Sequence, residues 1–202
     1  MANPKHSSES VEHYTPSEYI EAARSVMGAI TLDPASTHEI NTNLVKATEF
    51  FDEKRNGFSK PWFGNVFLNP PGGCCDAFGR RVKHGKSSQK MWWRKLALEW
   101  LHRDVDEAVF IGFSLELLQM TQIEGDGVPI PLDFPLCFPS QRMRFLTRGV
   151  DGKLSPGTQP THANVIVYLP KRERQDVYQK FIDAFGVFGR VQLPNPRKKS
   201  LR

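Results

Sequence analysis

The sequence predicts an α/β fold with three layers around a mostly parallel central sheet. Three observations carry that expectation. Ala108-Val109-Phe110-Ile111-Gly112-Phe113 is a continuous apolar run, the pattern of a strand buried on both faces. Asn65-Val66-Phe67-Leu68 is a second, shorter one. Between them Trp93, Leu96, Ala97, Trp100 and Leu101 recur at helical spacing and make one apolar stripe over about Gln89 to His102.

The remaining elements alternate in the same way. Thr15-Pro16-Ser17-Glu18 has the form of a capping box, with Thr15 as N-cap, Pro16 at the first helical position and Glu18 reaching back. A helix is expected from there to about Met27, stopping at Gly28. Ala29 to Leu32 reads as a short buried strand ended by Asp33-Pro34. Ser36 or Thr37 can cap a second helix to about Lys46, and Phe50-Phe51 belongs to a second strand. Turn residues are densest at Gly72–Ser88, Gly125–Pro131 and Gly149–Pro160, which are expected as loops. A short helix is expected over Leu115–Thr121. The later chain offers period-two alternation at Arg142 to Leu146 and an apolar strand at Asn164–Leu169. A helix over about Arg172–Phe185 and a strand over Arg190–Leu193 complete the set.

Composition bounds the function. The chain has 202 residues, and 27 Lys and Arg against 22 Asp and Glu give a net charge of +5, a weak pointer to a polyanionic partner. One domain is expected over residues 14–194, between a polar tail at 1–13 and a basic tail at 195–202. No apolar run approaches the roughly 18 residues of a membrane span, and the N-terminus lacks the apolar core of a secretory signal. Three cysteines, Cys74 and Cys75 adjacent, make no disulfide framework and suit a reducing cytoplasm. They form no C-x-x-C pair, and with His84 they lack a fourth ligand, so no metal is expected.

Chemistry concentrates where the strand at Asn65–Leu68 runs into Asn69-Pro70-Pro71-Gly72. In open α/β sheets ligands sit outside the carboxyl ends of strands. Two prolines fix the backbone and remove two N–H donors. They leave carbonyl acceptors and the amide oxygen of Asn69, an arrangement suited to gripping a planar NH₂ group. A Pro-Pro pair that merely ends a strand has the same sequence.

With His13-Tyr14-Thr15-Pro16, Leu32-Asp33-Pro34-Ala35-Ser36, Pro61-Trp62 and Val66 to Gly72 in this order, the chain resembles the phage-type DNA N-6-adenine methyltransferases. Cys137-Phe138-Pro139, Arg142-Met143-Arg144-Phe145 and the strand at Asn164–Tyr168 extend the resemblance over roughly Glu12 to Pro170. It implies a Rossmann-like methyltransferase fold, S-adenosylmethionine (S-adenosyl-L-methionine) as donor and adenine in double-stranded DNA as acceptor. It also implies a bacterial cytoplasm and a phage or prophage origin. Asn69, Pro70, Pro71 and Gly72 would be the catalytic motif. Tyr14, Thr15 and Pro16 would meet the methionine moiety, and Asp33, Pro34, Ala35 and Ser36 would cradle the cofactor. Physically, a helix N-terminus attracts the carboxylate and Asp33 can hold the ammonium.

Two features depart from the family pattern. Gly72 stands where an aromatic ring normally stacks on a flipped base, and Trp92, at the edge of the helix stripe, is the candidate replacement. The cofactor loop is not glycine-rich, and Asp52 is the candidate partner for the ribose. Arg80, Arg81, Lys83 and Lys86, with Lys90 and Arg94, form a basic cluster after the catalytic turn, and Arg142 and Arg144 share a strand face; these are the expected DNA contacts. No separate target-recognition domain is evident, so a short or relaxed sequence preference is expected. The same turn suits the amino group of cytosine or of a protein glutamine, and Gly72 also suits a DNA-binding relic of the fold.

Overall fold

The computed structural model describes residues 13–122, 126–149, 151–157, 162–172 and 176–194. Both expected tails, His13 apart, lie almost wholly outside the described residues. In chain order the elements are α1 (Ser17–Met27), β1 (Leu32–Asp33), α2 (His38–Ile40), β2 (Glu49–Phe50) and β3 (Gly64–Leu68). Then come β4 (Cys74–Cys75), β5 (Arg81–Val82), β6 (Lys86–Ser87), α3 (Ser88–Leu101), β7 (Val105–Gly112) and α4 (Glu116–Met120). The last are β8 (Leu136–Pro139), β9 (Leu146–Arg148), β10 (Leu154–Pro156), β11 (Val165–Leu169), α5 (Val177–Phe185) and β12 (Gly189–Gln192).

A seven-stranded sheet runs in the order β12-β8-β11-β7-β3-β1-β2. The ladders β1–β2, β1–β3 and β3–β7 are parallel. β11 is antiparallel to β7 and to β8, so β8 shares the direction of the parallel block while β11 and β12 oppose it. The sheet is therefore mixed and mostly parallel, compatible with a Rossmann-like fold.

Alternation along the strands divides the interior into two cores. Phe67, Val109, Ile111, Ile166 and Tyr168 face Ile20, Ala23 and Met27 of α1 and Phe181 and Phe185 of α5. Val66, Leu68, Ala108, Phe110, Val165 and Val167 face Trp93, Leu96 and Ala97 of α3. That is the expected three-layer arrangement. Within it Glu107 is buried and accepts the Tyr168 hydroxyl, a polar pair enclosed by the sheet.

The chain leaves β1 toward β2 on one side, then crosses to β3 on the other side and moves on to β7. Connections out of β1 and β3 thus diverge, which opens a crevice at their carboxyl ends. Asp33 and Asn69 stand there.

Several expectations are corrected. Thr15 does not cap α1: Pro16 holds that place with no side-chain cap bond, and Glu18 meets only the neighbouring Ser17 hydroxyl. The neighbouring Tyr14 is held elsewhere, exchanging backbone bonds with Leu146 (2.9 and 2.7 Å). Gly28 does end the helix, at φ 81°. Thr37, not Ser36, caps the second helix, accepting from the Ile40 N–H; after Ile40 it widens into a π turn over Asn41–Val45, and Lys46 is left-handed.

The span expected as a loop at Gly72–Ser88 holds a second sheet, β5-β4-β6. Strands of two residues show no alternation to read. Arg142 to Phe145 keeps the expected alternation, with Met143 and Phe145 buried and Arg142 and Arg144 exposed, but only Leu146–Arg148 joins a ladder. The Met143 N–H donates instead to the Asn164 side chain at 2.8 Å. The final helix begins at Val177 rather than near Arg172. On α3 Trp92 is buried, while Trp100 is half-buried and Leu101 exposed. Among the described residues no helix is long and apolar enough to cross a membrane.

Asn164 is buried and pins the 142–145 segment against the end of β11. Asn164→Ala leaves the buried Met143 N–H without that acceptor and is expected to lower stability by about 1–3 kcal/mol, read from the urea midpoint.

Candidate functional site

Three distant segments meet at the crevice. The Asn69 Nδ2 amide donates to the His13 carbonyl at 2.9 Å, which ties β3's end to the chain entering α1. A carbonyl can only accept, so the amide must face it with nitrogen, and its Oδ1 is turned elsewhere. Pro70 is buried and locks the turn, while Pro71 and Gly72 are exposed. A side chain at Gly72 would meet nothing within 4 Å.

Next to this turn lies the loop after β1. The parallel register pairs Leu32 with Val66, which sets Asp33 level with Phe67, two residues short of Asn69. Asp33 is only 3% exposed, and its Oδ1 accepts the Ala35 N–H at 3.1 Å. Burial is the dominant influence and pushes the Asp33 carboxyl up to about 7, against weaker opposing pulls from the Ala35 N–H and the Ser36 hydroxyl. The Ser36 contact falls outside ordinary hydrogen-bond geometry, and Ser36 Oγ is buried without a partner, as is Thr15 Oγ1. One orphaned hydroxyl thus lies on each of the two expected cofactor turns; the Ser88 hydroxyl and the Trp92 indole N–H are buried without a partner on α3.

The loop is held from outside. The Ser36 N–H donates to the Phe51 carbonyl at 3.0 Å, and Gly57 packs so closely that a Cβ there would lie 2.0 Å from the Pro34 carbonyl oxygen. Arg148 binds Glu39 of α2 at 2.6 Å and also interacts with Tyr14, linking this side to the Tyr14-Thr15-Pro16 turn.

The β4–β6 sheet stands on the other side. The Ser88 N–H donates to the Gly73 carbonyl at 3.0 Å, and Gln89 binds the Phe113 and Ser114 backbone, so the start of α3 is anchored at the ends of β3 and β7. Arg81, Lys83 and Lys86 are exposed on this sheet. Arg81 lies near enough to His13 to hold its imidazole below the usual range, although burial is the larger cause. Arg80 is engaged with Asp76 at 3.0 Å and lies over the Phe78 ring. Arg94 pairs with Asp126, and both line a cavity of about 160 Å³ that includes no residue of the Asn69, Asp33 or Tyr14 segments.

Of the expected site residues, the structure brings together Tyr14, Thr15, Pro16, Asp33, Pro34, Ala35, Ser36 and the Asn69–Gly72 turn. It sets Trp92 apart. Trp92 is 3% exposed and packs on Phe58 and Trp62, so its ring is a core element with no face for a base. Asp52 follows Phe51, whose backbone bonds Asp33 and Ser36, so it stays beside that loop while its Oδ1 accepts the Arg55 N–H at 2.8 Å. Sequence reading missed Phe78, 62% exposed, and the tie by which the His13 carbonyl holds Asn69. An aromatic within a basic loop could have flagged the first; nothing local flags the second. Cys137 is buried with its thiol pushed up to about 12, and burial raises Cys75 too, so neither is poised as a nucleophile. Among the described residues no group of three or more potential metal ligands occurs.

No family model, curated protein or solved structure matches the chain.

Two outcomes follow from this geometry. Asp33 is neutral in both states at the lowest pH and, between its ordinary value of 3.8 and about 7, ionised only in the unfolded chain. Native stability therefore falls as pH rises through that window and stays lower above it. Asp33→Asn keeps the Oδ1 acceptor and should stabilise the ligand-free protein at pH 8, by up to about 4 kcal/mol, with little change near pH 4; chemical denaturation at both pH values checks this. Gly57→Ala should displace the Pro34 carbonyl and lower stability by about 1–3 kcal/mol, read from the same transition.

Proposed function

We propose that the protein is an S-adenosylmethionine-dependent methyltransferase acting on the exocyclic amino group of adenine in double-stranded DNA. The observation that carries this reading is the orientation of Asn69. Its Nδ2 is committed to the His13 carbonyl, which leaves Oδ1, beside two prolines that lack N–H donors, to accept from a planar NH₂ group. The resemblance in residue order supports the same reading.

The cradle around Asp33 fits the cofactor in its donor set. Asp33 can hold the ammonium, and the unpartnered Thr15 and Ser36 hydroxyls can satisfy polar groups of the methionine and ribose. When bound, S-adenosylmethionine supplies an electrophilic methyl group. Asn69 Oδ1 and the Pro70 carbonyl accept the two amino hydrogens, hold the nitrogen in line and favour its lone pair for attack. The methyl would pass to the amino nitrogen with the C–S electron pair left on sulfur, and the nitrogen's extra proton would leave to water. Most of the acceleration on this account comes from positioning. The exposed cations Arg81, Lys83 and Lys86 near the turn favour a polyanionic substrate over a protein glutamine. Arg142 and Arg144, exposed on the segment that reaches Tyr14 through Leu146, extend that basic surface.

Transfer of labelled methyl from S-adenosylmethionine to unmethylated duplex DNA, followed by nucleoside analysis, tests the reading. N6-methyladenine is expected, with Asn69→Ala at least roughly 10²-fold slower and its cofactor affinity retained. Methylcytosine as the product, or binding of DNA without any transfer, overturns it. Cofactor affinity should rise between pH 6 and pH 8 as Asp33 ionises, and titration calorimetry in two buffers should detect proton release that Asp33→Asn abolishes.

A further inference from the structure

We infer that the His13 side chain is the aromatic surface on which the substrate base stacks, in place of the ring that Gly72 lacks. This deepens the adenine-methyltransferase reading and rests on it.

Position is the first argument. The carbonyl that receives the Asn69 amide belongs to His13, so the imidazole stands within one side-chain length of the acceptors that grip the amino group. A base held by that group has this residue as a neighbour on the main-chain side of Asn69. At Gly72 the space is open, with no neighbour within 4 Å of where a side chain would begin, so nothing there offers a face.

The ring is also braced. Phe145 meets it edge-on, with centroids 6.1 Å apart and planes at 61°. Phe145 is itself buried, and the next residue, Leu146, exchanges backbone bonds with Tyr14. His13 thus has a rigid aromatic support while remaining exposed. A T-shaped contact uses an edge of one ring and leaves the other open for a stacked partner.

Other aromatics serve less well. Trp92 is enclosed by Phe58 and Trp62. Phe78 already carries the Arg80 guanidinium 5.1 Å above its ring, and its backbone carbonyl is tied to Asn56.

The test compares the full-length protein with His13→Ala and His13→Phe, measuring methyl transfer against DNA concentration at saturating S-adenosylmethionine, and cofactor affinity separately. Both variants keep the main-chain carbonyl that holds Asn69. His13→Ala is expected to lower kcat/KM for DNA roughly tenfold or more while leaving cofactor affinity unchanged, and His13→Phe to restore most of the loss. Full activity in His13→Ala overturns the assignment. Loss of similar size in His13→Phe overturns it too, moving the role to an imidazole nitrogen. If the wild type transfers no methyl group to DNA, the function falls and the inference with it; if it does, failure in the variants bears on His13 alone.

Discussion

Strands buried on both faces admit polar chemistry only at their ends, and the rest of this structure follows from that constraint. β3, β7 and β11 send alternate side chains into two separate apolar cores. The enclosed exception, Glu107 with Tyr168, consumes its own polarity. Ligand-facing groups are therefore confined to the sheet's margins. Because connections diverge from β1 and β3, the carboxyl ends of that pair are left open rather than covered by a crossover. Asp33 and Asn69 occupy the two sides of this opening.

Backbone hydrogen bonds, more than side-chain packing, assemble the site. Tyr14 with Leu146, Ser36 with Phe51 and Ser88 with Gly73 each fasten one loop to another. The Asn69 amide adds a side-chain tie to His13. Against these ties stand the Asp33 carboxyl and the buried hydroxyls of Thr15 and Ser36, with their capacity unmet. Each such group costs stability, about 1–3 kcal/mol when left unsatisfied, and a ligand offering complementary donors and acceptors recovers it. The Ser88 hydroxyl and Trp92 indole N–H, buried without partners on α3, carry the same cost away from these two turns.

The small β5-β4-β6 sheet separates two electrostatic tasks. Its exposed Arg81, Lys83 and Lys86 present positive charge beside the Asn69 turn, while the buried acidic Asp33 sits deeper, at the end of β1. A cationic group is drawn toward the second and a polyanion toward the first. Arg80 and Arg94, though close in sequence, are occupied by Asp76 and Asp126.

Periodicity and turn chemistry made much of this protein legible before any coordinates. The buried strands at Val66–Leu68 and Ala108–Ile111, the amphipathic α3, the stop at Gly28 and the rigid Asn69-Pro70-Pro71 turn are local consequences of residue type, and the structure holds them where expected. Features made by long-range contact were illegible. Thr15 has the chemistry of a cap but makes no cap bond, and its neighbour Tyr14 is held by the distant Leu146. Trp92 lies at the edge of a helical stripe, yet Phe58 and Trp62 close over it. The strands β4, β5 and β6 are too short for alternation to register. His13 heads the His13-Tyr14-Thr15-Pro16 stretch, but the partner of its carbonyl is visible only in the fold. The sequence by itself determined which segments are strands, helices and rigid turns, because those depend on neighbours along the chain. Only the tertiary structure decided which polar atoms go unpartnered and which aromatic faces stay open, because both depend on what distant segments bring to the same place.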